Sequence, residues 1–223
     1  MTKVSGLISA SLATISQAIA APQSSTLVDV VIYRSEQQRA TPTLTHKIMA
    51  NISAMPGFMS SIHLQSIAEP QVFADIIVWQ STSLKPTEGL PSRAIFEEGS
   101  ELKLLDRYQS TSANTTLQPY LQPEAVIELA AYSVNDIATQ IHSRPAVYLE
   151  LQNSASYYGG LALSSVKTDT HFIDLISWGS QQGAEQTAAN IMAMPKHQDF
   201  FKNNTDIKLF DYFTVYAKNG LIK

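Results

Sequence analysis

Short runs of β-branched and aromatic residues, punctuated by Pro, Gly and Asp, alternate along this chain with stretches of helical periodicity. Residues 28–35, containing Val28-Asp-Val-Val-Ile-Tyr33, read as a strand. Thr41-Pro42 supplies an N-cap and a first helical position, opening a helix through Ile48, Met49 and Ile52. That helix stops at Met55-Pro-Gly57, where proline and glycine both oppose continuation. Two strands, 58–67 and 72–80, flank the turn-like Ala68-Glu-Pro70, and a short helix over 91–98 leads to a last strand at 102–111. The same order returns in the second half. A strand at 126–134 precedes a helix entered at Ser143-Arg-Pro145, then strands at 157–166 and 171–179. A helical region over 181–203, broken at Met194-Pro195, ends in a strand at 206–216.

The recurrence extends to residue identity. Phe73-Ala-Asp-Ile-Ile-Val-Trp-Gln-Ser81 returns 99 residues later as Phe172-Ile-Asp-Leu-Ile-Ser-Trp-Gly-Ser180, and Tyr33 and Tyr132 stand at the same spacing. Glu101-Leu-Lys-Leu-Leu-Asp-Arg-Tyr108 matches Asp206-Ile-Lys-Leu-Phe-Asp-Tyr-Phe213 at a spacing of 105. Three matches in one order indicate a duplicated unit. The first repeat covers 27–113, the second 124–217, and the polar segment 114–123, with Pro119 and Pro123, links them. A βαββαβ order gives a four-stranded antiparallel sheet with both helices on one face, the ferredoxin-like α+β arrangement. The bare face of each sheet would be a large apolar patch unless covered. Two units closing face to face remove both patches, so the expected architecture is an intramolecular dimeric α/β barrel.

Composition narrows the function classes. The 223-residue chain is 44% hydrophobic and 15% charged, with a net charge of −4 and no basic cluster. That argues against nucleic acid as a partner. The absence of cysteine removes disulfides, thiolate nucleophiles and cysteine metal sites. In residues 1–22, Val4, Leu7, Ile8, Leu12, Ile15 and Ile19 fall on one helical arc opposite Ser5, Ser9, Ser16 and Gln17. This reads as an amphipathic helix or, alternatively, as a signal-like segment with Ala18-Ile-Ala20 before Ala21-Pro22. A retained helix goes with a cytoplasmic location and a signal peptide with export. No stretch approaches the ~20 apolar residues that span a bilayer, so no membrane association is expected.

Met55-Pro-Gly-Phe58 before a strand, the Asp-x-x-x-Trp-x-Ser strand ends, and Met194-Pro-Lys-His-Gln-Asp-Phe200 resemble the antibiotic-biosynthesis-monooxygenase group of dimeric α/β-barrel proteins. The resemblance covers residues 27–217 and implies a tandem-fused form of that fold. It also implies a choice of activities, because the group includes cofactor-free monooxygenases of aromatic polyketides and haem-degrading enzymes. The haem-degrading members resemble one another in an Asn on the first strand and a His about ten residues past the strand-end Trp. Here the first strands carry Asp29 and Glu128, and Gly89 and Ala188 stand ten past Trp79 and Trp178. Iron has no evident axial ligand, and the reading goes against haem degradation.

The candidate site residues each carry a plain alternative. Trp79 and Trp178 suit the wall of a planar-ligand pocket, or simply core packing. Asp75 and Asp174 share strand faces with apolar neighbours; either could act as a base, or sit at a sheet margin with a backbone or Arg partner. Tyr33 and Tyr132 could orient a substrate by hydrogen bonding, or rest half-buried. The histidines differ between copies: His63 stands opposite Ala162, His171 opposite Val72, and His197 lies in the helical region expected to face the Trp178 pocket. An imidazole there suits proton transfer, an exposed helix histidine being the alternative. Spacings for a metal, a nucleophile elbow or a phosphate loop are absent from the chain. The expected function is cofactor-independent oxygenation of a small aromatic or polyketide-like molecule, with no cofactor or metal. Tyr132, Asp174, His197 and Trp178 would act in the second repeat, and Trp79, Tyr33, Asp75 and His63 would contribute to binding. The alternatives are a non-catalytic or stress-linked binder and a purely structural protein. A further homodimer of the internal pseudo-dimer stays open.

Overall fold

The computed structural model describes residues 26–35, 50–80, 100–110 and 117–220. The expected N-terminal helix over 1–22, the helix over 91–98 and most of the first copy's other helix lie outside the described residues. The strands of the first copy are β1 (Thr26–Ser35), β2 (Phe58–Ser66), β3 (Val72–Gln80) and β4 (Ser100–Ser110). Residues 50–53 are helical and lead to Gly57, whose φ of 81° lies where a side chain would be strained. The second copy runs β5 (Val126–Val134), α1 (Ile137–Leu151), β6 (Tyr157–Ser165), β7 (His171–Trp178), α2 (Gln181–Met192), α3 (Gln198–Asn203) and β8 (Asn204–Gly220).

All neighbouring strands are antiparallel and the sheet closes on itself in the order β1-β3-β2-β8-β5-β7-β6-β4. Each copy contributes four adjacent strands, and the copies meet at two seams. One is long, β2 against β8 from Ser60↔Gly220 to Ser66↔Phe213; the other joins β4 to β6 only over Tyr108↔Ser165 to Ser110↔Leu163. The long seam explains why β8 runs well past the expected 206–216: its far end has a partner strand in the other copy.

Alternation sorts the side chains. Val28, Val30 and Ile32 of the first copy meet Ile127, Leu129 and Ala131 of the second in one buried cluster. Burying each large aliphatic side chain contributes roughly 1.5–3 kcal/mol, so neither copy's inner face could stay open to water. The segment expected to be a polar linker takes part in this core. Leu117 and Tyr120, at a short 3₁₀ helix (Gln118–Leu121), are buried in the same cluster, and the Tyr120 hydroxyl donates to the Leu175 carbonyl at 2.7 Å. The barrel interior is thus packed with side chains.

α1 begins earlier than Ser143-Arg-Pro145. Asp136 caps it, accepting from the backbone N–H groups of Ala138 and Thr139, and Pro145 falls inside the helix. Pro145 is exposed, so the Ile141 carbonyl that loses its intrahelical donor can turn to water. The break at Met194-Pro195 is where the pattern placed it: Met194 is extended (ψ 120°), and a 3₁₀ turn (Pro195–His197) follows. Among the described residues no helix is long and apolar enough to cross a membrane.

Candidate functional site

On the side of the sheet turned away from the shared core, the polar side chains of the two copies diverge. On β1, Asp29 is fully buried and accepts from the Trp79 indole N–H at 3.0 Å. The Arg107 guanidinium, opposite Asp29 on β4, donates to it at 2.7 and 3.0 Å. On β5 the same place is held by Glu128, which accepts from the Trp178 indole N–H at 3.0 Å. Opposite it on β8 stands Tyr212 where the first copy has arginine. Among the described residues no cation pairs with Glu128. Burial pushes its carboxyl up to about 7; the Asp174 charge adds to this and the Trp178 hydrogen bond offsets part of it.

A second divergence involves the aspartates. Asp75 pairs across the strands with His63, Nδ1 to Oδ1 at 2.6 Å, and His63 Nε2 lies 3.3 Å from the Ser61 hydroxyl. In the second copy Gly160 and Ala162 occupy the places of Ser61 and His63, and Ala162 faces Asp174. The partner of Asp174 comes instead from α1: Arg144 donates from Nε at 2.9 Å and from Nη2 at 2.6 Å. The hydroxyls of Tyr132 and Tyr148 also donate to Asp174, at 2.7 and 2.6 Å, and Gln140 donates to the Tyr132 oxygen at 2.9 Å. Burial, with the Asp174 charge next to them, holds both tyrosines well above the ordinary phenol range, so they remain donors. Asp174 is therefore enclosed by four hydrogen bonds and not left bare on an apolar face.

A cavity of about 240 Å³ lies between β5, β7, β8 and the helices. Glu128, Tyr132, Tyr148 and Asp174 reach it, against apolar walls that include Leu151, Ile176, Phe200 and Phe201. Met192, Ile207 and Phe210 also line it and are more than half exposed, which marks the mouth. A neighbouring hollow of about 390 Å³ lies over Gly160, Ala162, Phe172 and Arg144, on the far side of the Arg144–Asp174 pair, and Tyr148 lines both. The small residues at 160 and 162 leave room that serine and histidine take up in the first copy.

The expected residues fall out as follows. Tyr132 and Asp174 face the cavity together. Trp178 does not line it: the indole is 1% exposed, packs edge-on against Tyr157, and holds Glu128 from behind. Trp79 repeats this arrangement against Phe58. Tyr33 and Tyr132 stack on Phe73 and Phe172 at matching angles of 20°. His197 does not reach the cavity. It is 3% exposed beneath the end of α1, with Nε2 3.8 Å from a Glu150 oxygen. His171 contacts Lys208 on β8, far in the strand register from His63. Ser61, His63 and Asp75 stand in the order of a hydrolytic triad, but Ser61 is fully buried in mid-strand. Among the described residues no three His, Asp or Glu side chains gather as a metal site.

Glu128, Arg144, Tyr148 and Gln140 were not among the expected site residues. A signal existed for three of them. Gln140, Arg144 and Tyr148 lie four residues apart, a polar stripe on the helix face that also buries Val147 and Leu151. For Glu128 the exchange of Asp29 for Glu128 and of Arg107 for Tyr212 becomes readable only once the strand register pairs them.

No family model matches the chain, and no curated protein matches it. Solved structures do. An anthrone oxidase-like protein superposes with a TM-score of 0.60 at 14% identity, covering 87% of this chain and 92% of that one. A protein of Fusobacterium nucleatum proposed as a monooxygenase gives 0.57 at 6% identity, over 88% and 95%. A mutant chlorite dismutase from Candidatus Nitrospira defluvii gives 0.52 at 9% identity, over 85% and 91%. The likeness is one of fold: the chain has the ferredoxin-like dimeric α/β-barrel architecture of these neighbours, and its closed eight-stranded sheet is the tandem form.

Proposed function

We propose that the protein is a cofactor-independent oxygenase of a small aromatic or polyketide-like molecule, working in the cavity of the second copy. The observation that carries this is an apolar cavity of about 240 Å³ into which carboxyl and phenol groups converge. Its volume lies just under the ~300–1,000 Å³ of typical small-molecule sites and suits a ligand of a few rings. Phe200, Phe201 and Ile176 would hold a planar ring system, and Met192 and Phe210 would close behind it. Tyr132 and Asp174 keep a positioning role, presenting a fixed polar edge. Arg144 anchors that edge from the side away from the ligand. One structurally similar protein is named for anthrone oxidation, and anthrone is a planar molecule with an acidic methylene opposite a carbonyl.

Such chemistry needs no redox group on the protein, because a stabilised carbanion can hand an electron to O₂ directly. The test is oxygen consumption by the purified protein with anthrone and with hydroxylated flavonoids. Uptake that saturates with substrate and falls on Phe200→Ala supports the reading. Uptake no faster than in buffer, for ligands shown to bind, contradicts it. One observation favours a second reading, a binder without chemistry: the hydroxyls of Tyr132 and Tyr148 both donate to Asp174, so neither phenol has a proton to spare for a ligand. Tight binding with no oxygen uptake is its signature.

A further inference from the structure

The duplication supplies an internal control for the chemistry of this site, because one copy neutralises a carboxylate that the other leaves alone. Asp29 and Glu128 occupy the same place on the first strand of each copy, and each takes the N–H of its copy's tryptophan. Asp29 faces Arg107 and is locked in a fully buried ion pair. Glu128 faces Tyr212, is 8% exposed, and has one oxygen held by Trp178 while its side chain reaches the cavity. We infer that Glu128 is the catalytic base of the second copy, taking a proton from a carbon acid, a methylene flanked by an aromatic ring and a conjugated carbonyl system. The inference rests on the cavity being the reactive site, as proposed above.

The surroundings suit that role. Trp178 fixes one carboxyl oxygen from β7, so the other has a defined direction. The charged and titratable groups around it are Asp174 on β7, paired with Arg144 of α1, Tyr132 on its own strand, the Tyr148 hydroxyl of α1, and Tyr212 on β8 with Glu185 of α2 beyond it. A nearby carboxylate and burial both favour the protonated acid, which makes Glu128 a stronger base than a solvated glutamate.

The reaction balances with O₂ as the co-reactant. Glu128 removes one methylene proton, leaving its electron pair on the substrate as a carbanion. One electron passes to O₂, and the two radicals join in a C–O bond to give a peroxide anion. The proton on Glu128 returns to the terminal oxygen, restoring the carboxylate. Glu128 then takes the second hydrogen as a proton. Its C–H electron pair becomes the carbonyl π bond, the O–O bond breaks, and the departing hydroxide takes the proton from Glu128 as water. The CH₂ group and O₂ become C=O and H₂O.

The first step can be followed without oxygen. Wild-type protein with anthrone in anaerobic D₂O should speed deuterium exchange at the methylene, read by proton NMR. Glu128→Gln, which keeps an oxygen for the Trp178 N–H, should lower that rate by about 100-fold or more. Glu128→Asp should recover part of it. The wild-type rate should rise with pH to a plateau above about 7. Near-UV circular dichroism confirms that each variant is folded. If Glu128→Gln does not fold, the wild-type profile decides, and a rate independent of pH between 5 and 9 overturns the inference. So does exchange undiminished in folded Glu128→Gln, or no exchange of bound anthrone by the wild type. Oxygen uptake undiminished in Glu128→Gln overturns Glu128 and leaves the oxygenase standing. Exchange without oxygen uptake does the reverse.

Discussion

Replacing Glu128 by glutamine should make the protein more stable at pH 8 and leave it almost unchanged at pH 4. Below 4.5, the value of a free glutamate, Glu128 carries its proton in both the folded and the unfolded chain. As pH rises past 4.5 the unfolded chain releases that proton while the folded protein keeps it until about 7. The folded state therefore loses stability across the window from 4.5 to about 7, and the loss is constant above it. The width is 7 − 4.5 = 2.5 pH units; at about 1.36 kcal/mol per unit the loss is about 3 kcal/mol. Glu128 as a whole is 8% exposed, so solvent screens little of this. Glutamine cannot ionise and is spared the loss, while its amide oxygen can still accept from Trp178. For a chain of this size about 3 kcal/mol corresponds to a Tm difference of roughly 6–12 °C. Urea denaturation of both proteins from pH 4 to 9 measures the gap directly, since every other titrating group is common to the two. A gap that opens between pH 5 and 7 and then stays level agrees with the account. Curves that run parallel throughout refute it, because Glu128 would then be ionised in the fold at no cost.

Further outcomes follow from the packing. Arg107→Leu strips Asp29 of its cation inside the sheet and should cost about 3–5 kcal/mol in urea denaturation, with Asp29→Asn added in the same chain recovering much of it. Gly159→Ala would bring a Cβ to 2.6 Å from the Pro119 ring, at the bulge that starts β6. A loss of about 1–3 kcal/mol is expected. Tyr120→Phe removes the hydroxyl that reaches the Leu175 carbonyl and should cost about 1 kcal/mol, whereas Tyr120→Ala should cost about 3–5 kcal/mol by opening a void in the barrel. Anthrone at a hundred times its Kd should raise stability by about 2.7 kcal/mol through binding to the folded form, and Phe200→Ala should reduce the shift at the same concentration.

Strand positions were legible from their runs of β-branched and aromatic residues between turn signals; β1 is buried on both faces, so its inward Val28, Val30 and Ile32 do not stand out by alternation. Duplication then made closure of the barrel the simplest way to cover both faces. The start of α1 was less legible. Asp136 caps it through its side chain, while Pro145, which more often opens a helix than continues one, sits on an exposed face that tolerates it. That misplacement hid Arg144, which looked like part of a helix entry and is the cation of the Asp174 cluster. The linker misled for a different reason. Its composition is polar, and the insertion of Leu117 and Tyr120 into the barrel depends on the shape of a core assembled from both copies. Trp178 was expected to face a ligand, but its indole N–H serves Glu128 from behind the wall. The role of Glu128 depends on what is missing opposite it. Only strand register, which pairs Asp29 with Arg107 and Glu128 with Tyr212, makes that absence visible.

Glu128 holds its proton up to about 7, while Asp29, its duplicate, is pinned by Arg107. Carbon-13 NMR of protein labelled at the glutamate side-chain carboxyl, with the Glu128 signal assigned by its loss in Glu128→Gln, follows that group directly. A midpoint at about 7 is the predicted result. A midpoint at about 4.5, in the range of a solvated glutamate, would contradict the account.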